Sequence, residues 1–174
     1  MSNVRFIGCL HFGHKAMAQY RGFQDEYYHD EHLIESWNKV VRKKDLVFIT
    51  GDITFESPEY YYQLDRLNGR KKVILGNHDR IEDVPELLKY VEGVAGMFRY
   101  KGYFLTHAPI HPNELSFCNG NIHAHIHHRN KLDELETKIK YGDEEGTVKS
   151  LDKYFNVDAH LIDYKPITLQ ELIK

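Results

Sequence analysis

Residues 46–52 read Leu46-Val47-Phe48-Ile49-Thr50-Gly51-Asp52: a short apolar run, a threonine, then a glycine and a carboxylate. So short a run, closed by a turn residue, predicts a buried strand over Leu46 to Thr50 with a polar residue just past its end. The same arrangement recurs on either side. Val4 to Leu10 is a second such strand, closing on Cys9-Leu10-His11, and Lys72 to Leu75 is a third, followed by Gly76-Asn77-His78-Asp79. Helical segments lie between and after them. Within Glu31 to Lys43, the residues Leu33, Ile34, Trp37, Val40 and Val41 fall on one helical face. Ser57-Pro58-Glu59 opens a second helix that ends near Asn68-Gly69. Val84 to Tyr90 is a third, with Asp83 as its cap and Pro85 in its first turn.

Past residue 95 the pattern changes. Met97 to Tyr100 and Tyr103 to Thr106 flank Lys101-Gly102, a two-residue hairpin signal. Asn121 to His125, Tyr154 to Asp158 and His160 to Tyr164 read as further strands, and Thr168 to Ile173 as a short closing helix. Asp133 to Ser150 is charged, contains Gly142 and Gly146, and reads as an exposed loop or frayed helix. A βαβ first half followed by hairpins predicts an α/β protein with a mixed sheet, or two packed sheets, covered by helices.

The 174 residues suit one domain, residues 1–174, able to bury a core without disulfide staples. Cys9 and Cys118 make no disulfide framework. With Lys plus Arg at 23 and Asp plus Glu at 26, the net charge of −3 argues against a broad nucleic-acid or membrane-binding surface. No apolar run approaches a membrane span, and the N-terminal residues lack a secretory pattern, so the expected location is cytoplasmic. The composition is unusual in one respect: six of the 12 histidines lie between His107 and His128.

In open α/β sheets, ligands gather beyond the carboxyl ends of strands. Cys9-Leu10-His11, Gly51-Asp52, Gly76-Asn77-His78-Asp79 and Thr106-His107 all occupy such ends. A fifth cluster, His123-Ala124-His125-Ile126-His127, places three histidines on one side of an extended chain. Imidazole and carboxylate donors suit Mn, Fe, Co, Ni and Zn, and one carboxylate can bridge two such ions. Asp52, a lone carboxylate on a glycine turn, suits that bridge. Asn77 offers a neutral oxygen, and His78 is free to act as an acid.

Taken in order, His11, Gly51-Asp52, Gly76-Asn77-His78-Asp79, His107 and His125-Ile126-His127 resemble the calcineurin-like metallophosphoesterases. The likeness runs from about residue 5 to residue 128. The closing stretches Tyr154-Phe155-Asn156-Val157 and Pro166-Ile167-Thr168-Leu169 are similar to the ends of small bacterial and phage members. The resemblance implies a four-layer α/β/β/α sandwich of two mixed sheets flanked by helices. It also implies two divalent ions (Mn, Fe, Ni or Zn) and hydrolysis of a phosphodiester or small phosphomonoester by a metal-bound hydroxide. Position by position, one ion falls to His11, Asp52, His127 and residue 9, and the other to Asp52, Asn77, His107 and His125. His78 becomes the acid and Asp79 a support for its loop.

The family has Asp where this chain has Cys9. Cys9 is either a thiolate ligand favouring softer ions, a small buried strand residue, or the mark of an impaired first site. Ala124 in place of the family's Gly asks only that the backbone tolerate a Cβ. His14, Arg80 and His123 are candidates for substrate contact, as is Arg129; each has a structural or solvated alternative. The acidic stretch Asp25 to Glu31 reads as a solvated loop or helix start, or as a lid. Two rival functions stay open: a metal- or nucleotide-binding protein without turnover, and a nuclease. Nucleic acid is the less favoured substrate, a membrane partner is not expected, and homo-oligomerisation is open.

Overall fold

The computed structural model describes residues 2–127 and 151–174, together with short strands at 139–141 and 144–146. Strands β1 (Val4–Ile7), β2 (Leu46–Ile49), β3 (Arg70–Ile74) and β4 (Gly93–Ala95) run parallel, and β11 (Ile167–Thr168) closes the edge antiparallel to β1. A second sheet has the order β10-β7-β6-β5, from β5 (Phe98–Tyr100), β6 (Tyr103–Leu105), β7 (Gly120–His123) and β10 (Tyr154–Asn156). In it β6, β7 and β10 are parallel and only β5 is reversed. Strands β8 (Ile139–Tyr141) and β9 (Glu144–Gly146) form a separate antiparallel pair.

Strand alternation divides the core in two. On one face of the first sheet, Ile7, Val47, Ile49 and Val73 meet Leu33, Ile34 and Trp37 of the helix α2 (Glu26–Val40). On the other face, Phe6, Phe48 and Ile74 meet Leu105 and Ile122 of the second sheet. The outer side of that sheet is covered by a 3₁₀ segment, Pro112–Phe117, and the chain leading into it. Tyr154 Oη donates to the Ile110 carbonyl and Lys153 Nζ to that of Leu115. Two mixed sheets flanked by helical layers are therefore present.

Several local expectations are corrected. Helix α2 begins five residues before the expected start at Glu31, because Asp25 caps it by accepting the Tyr28 N–H. Asp25 to Glu31 is thus a helix start, with Tyr27 and Tyr28 exposed but His29 and Asp30 buried in the core, and it is not a lid. Pro58–Arg66 is a 3₁₀ helix: Tyr61, Leu64 and Leu67, three apart, form the buried row, and three residues per turn aligns them. Asp83 does not cap; its carboxylate faces Arg80 instead, and the helix α3 is only Val84–Leu87. His160 to Tyr164 is a series of turns, with Asp163 and Tyr164 both at positive φ. Short β4 and the helix α1 (Lys15–Tyr20), which buries only Ala18, carry no periodic signal. The Lys101-Gly102 hairpin forms as expected, with Tyr100 opposite Tyr103 and both turn residues at positive φ. Helix α4 (Leu169–Leu172) opens on a capping box between Thr168 and Glu171. Most of Asp133 to Ser150, and His128 and Arg129, lie outside the described residues.

Candidate metal centre

Six parallel strands from both sheets end at one place. Their tips supply Cys9 and His11 (β1), Asp52 (β2), Asn77 and His78 (β3), His107 (β6), His125 and His127 (β7) and Asp158 (β10). The two sheets are stitched together here: Gly8 donates to the Val157 carbonyl and accepts from the Ala159 N–H, each at 2.9 Å. A side chain at Gly8 would strike Thr50 and Ala124. The missing Cβ at position 8 makes room for the one at Ala124.

The backbone bends sharply at these tips. Cys9, His11, Asp52 and His125 all lie in the left-handed region, with φ between 52° and 66°. Such conformations cost non-glycine residues energy and persist only where surrounding contacts impose them. Those contacts are visible. The Asp79 carboxylate accepts the N–H groups of Asp52 and Gly76 at 2.8 Å and of Ile53 at 3.0 Å, tying the β2 and β3 loops together. Burial pushes its pKa up despite those three donors. The Cys9 N–H donates to the Gly51 carbonyl, and the His11 N–H to that of Asp52.

Around His107 the donor atoms converge. Its Nδ1 lies 2.7 Å from the Thr50 carbonyl, which requires the proton there and leaves a lone pair on Nε2 of the neutral ring. That Nε2 is 2.9 Å from Asn77 Oδ1, 3.1 Å from His125 Nδ1 and 3.4 Å from Asp52 Oδ2. Nitrogen and oxygen atoms crowded this way need a hydrogen or a metal ion between them. Burial lowers the His107 pKa, but the hydrogen bond and charge of Asp52 outweigh it, and the net shift is upward. Burial likewise raises Asp52, yet His107, His11 and the His78 N–H together hold it down at about 2.

A second group adjoins the first. Donor atoms of Cys9, His11 and His127 lie within 4.8 Å of one another, and so do those of Cys9, Asp52 and His107. Asp52 Oδ2 is also 3.7 Å from His11 Nε2, which puts this carboxylate between the two imidazoles. Both ring nitrogens of His11 are buried and have no hydrogen-bond partner among the described residues. Burial, then the Arg21 charge, lowers its pKa, so the ring is a neutral donor. The Cys9 sulfur accepts the His125 N–H at 3.2 Å. Burial and the carboxylates of Asp158 and Asp52 push its thiol pKa well up. Orphaned nitrogens and a nitrogen, oxygen and sulfur donor set fit transition-metal ligation. Cys9, His11, Asp52 and His107 form a buried floor, while Asn77 and His125 are exposed at the rim, so the floor opens to solvent.

The other sequence candidates fall at different distances. His78 is half-buried, its ring 6.0 Å from that of His11 and its Nδ1 3.9 Å from Glu56 Oε1. His14 lies 5.5 Å from His11 and stacks on Phe55, whose ring is 4.3 Å from those of both His14 and His78. Arg80 turns to Glu82 and Asp83. His123 does not share a side with His125 and His127. Strand β7 ends at His123, and the left-handed turn at His125 breaks the alternation. His123 is fully buried against Tyr154, donates to the Ala124 carbonyl, and is closed to a substrate. Sequence reading missed Asp158, Arg21, Phe55 and Glu56. Asp158 could have been found by the strand-end rule, since it follows β10; Arg21 has no such signal.

The family profile described as calcineurin-like phosphoesterase matches residues 2–167. An uncharacterised protein of Methanocaldococcus jannaschii is 32% identical over 181 residues, covering 100% of this chain and 91% of its own. The gene 66 protein of Mycobacterium phage D29 is 44% identical over 97 residues, covering 50% of this chain and 47% of its own. A solved structure from Aquifex aeolicus, of unknown function, superposes with a TM-score of 0.69 at 23% identity, covering 98% of this chain and 97% of its own; it shares the fold.

Proposed function

The chain belongs to the calcineurin-like phosphoesterase family, and from that premise we propose that it hydrolyses a phosphodiester or small phosphomonoester at a centre of two divalent ions. Cys9, His11, Asp52 and His127 would hold one ion, and Asp52, Asn77, His107 and His125 the other, drawn from Mn, Fe, Ni or Zn. The observation that carries this reading is the meeting of His107 Nε2, Asn77 Oδ1, His125 Nδ1 and Asp52 Oδ2. Held by these residues, divalent ions would supply charge to neutralise phosphoryl oxygens and to activate a water.

The protein's own groups do the rest. Asp52 would be shared between the two ions; its Oδ1 accepts the His78 N–H at 3.1 Å, which fixes the loop carrying the acid. His78 sits at the mouth, with Glu56 near its Nδ1, and protonates the leaving oxygen. Phe55, wedged against His78 and His14, limits the movement of both rings. A cytoplasmic location belongs to the same proposal, because a free buried thiol at the centre suits a reducing compartment.

A second reading is a weakened, metal- or nucleotide-binding protein, favoured by a buried Cys9 at a ligand position where the family has Asp. An assay with bis-p-nitrophenyl phosphate and Mn or Ni separates the two. Metal-dependent turnover that His78→Ala abolishes, with metal content unchanged, supports hydrolysis. Absence of turnover across a panel of phosphoesters supports the binding reading.

A further inference from the structure

Beneath His127 lies a buried chain of polar contacts that the reaction above does not use. The Asp158 carboxylate is fully buried. Its Oδ2 accepts from His127 Nδ1 at 2.6 Å; its Oδ1 accepts from the His160 N–H at 2.9 Å and from Arg21 Nη2 at 3.4 Å. The Arg21 side chain, also fully buried, donates to the Cys9 carbonyl at 2.8 Å and to that of Leu10 at 3.4 Å. It meets His29 Nε2 at 2.9 Å. His29 Nδ1 faces Asp30 Oδ1 at 3.0 Å, and Asp30 Oδ2 accepts the Gly13 N–H at 3.0 Å. The chain thus runs from the loop after β1, through α2, to the histidine contributed by β7.

A buried ion pair is a poor stabiliser, because desolvation offsets its Coulomb gain. Its geometric effect is definite. An acceptor at 2.6 Å from Nδ1 places the proton there and leaves the lone pair on Nε2, the nitrogen then free to ligate beside Cys9 and His11. We infer that Asp158, anchored by Arg21, is a positioning residue that sets the tautomer of His127 and thereby the strength of the Cys9–His11–His127 group as an ion site. The inference rests on the metal-centre reading.

Asp158→Asn tests it sharply. The asparagine oxygen is drawn to the side with two donors, His160 N–H and Arg21, which leaves its NH₂ facing His127 Nδ1. His127 must then accept at Nδ1 and carry its proton on Nε2, where it cannot ligate. Equilibrium dialysis against Mn²⁺ alone, with bound metal measured by elemental analysis, reads the consequence. The expected result is one binding step weakened about 10- to 100-fold and the other unmoved, with His125→Ala weakening the opposite step. An isotherm unchanged by Asp158→Asn, or displaced equally in every step, overturns the inference. Wild-type protein that binds no Mn²⁺ overturns the metal-centre reading as well, which distinguishes the two failures. A variant that does not fold leaves a direct measurement on the metal-free wild type. Long-range ¹⁵N–¹H correlation must show His127 as the Nδ1–H tautomer, and the Nε2–H form overturns the inference.

Discussion

Replacing Asp79 by Asn changes one atom and leaves the shape of the side chain intact, so its effect isolates the carboxylate's three backbone bonds. Oδ2 accepts two N–H groups, from Asp52 and Gly76, and Oδ1 accepts one, from Ile53. The better orientation of Asn keeps its oxygen on the first two and turns NH₂ toward the Ile53 N–H. That buried donor then has no acceptor, at a cost of about 1–3 kcal/mol. The two surviving bonds lose their charge assistance, about 1 kcal/mol each. Relief from burying a carboxylate close to Asp52, the cause of its raised pKa, offsets part of this. The net expectation is a loss of about 2 kcal/mol, from a stability that for such domains is about 5–15 kcal/mol. With a urea slope near 2 kcal/mol per molar, the midpoint falls by about 1 M at pH 7 in chelator, with the slope unchanged. Because these bonds tie together the loops bearing Asp52 and Asn77, metal uptake weakens too. A midpoint within about 0.3 M of wild type would refute the argument that these three bonds outweigh the desolvation of the charge.

Other substitutions probe separate parts of the molecule. Cys9→Asp should retain metal and shift its identity toward Mn, because an oxygen donor replaces sulfur; unchanged metal content in Cys9→Ala would exclude Cys9 as a ligand. A Cβ at Gly76 would strike Asp52 Oδ1 and lie 2.9 Å from His107 Nδ1, while one at Gly93 would meet nothing within 4 Å among the described residues. Gly76→Ala should therefore cost about 1–3 kcal/mol by denaturation and reduce activity about 100-fold, with Gly93→Ala as a near-neutral control. Burial raises the Asp45 carboxyl, but the Arg42 side chain and the N–H groups of Asn3 and Arg42 bring it down to about 2. A folded pKa held below the ordinary value of 3.8 contributes stability that is complete above about pH 4 and lost as the pH falls toward 2. Asp45→Asn should thus lower urea midpoints at pH 5 to 7, with a gap that closes between pH 4 and 2.

What was legible in the sequence was local. Leu46 to Asp52, Val4 to His11 and Lys72 to Asp79 each pair a buried strand with polar residues at its end, and parallel pairing brings such ends to one edge. Asp52, Asn77, His78 and His107 could be named from that pattern alone, because a strand's direction and its last residue are adjacent in the chain. The tertiary structure decided the rest. A period of two puts His123 on the side of His125 and His127, but that period holds only while the strand lasts, and the turn at His125 ends it. The 3₁₀ form of Pro58–Arg66 came from a buried row that exists only against the sheet. Asp158 and Arg21 are 137 positions apart, and their meeting depends on β10 returning beside β7. Contacts at that separation leave no periodic trace, since they reflect the packing of whole elements rather than the conformational preference of any one segment.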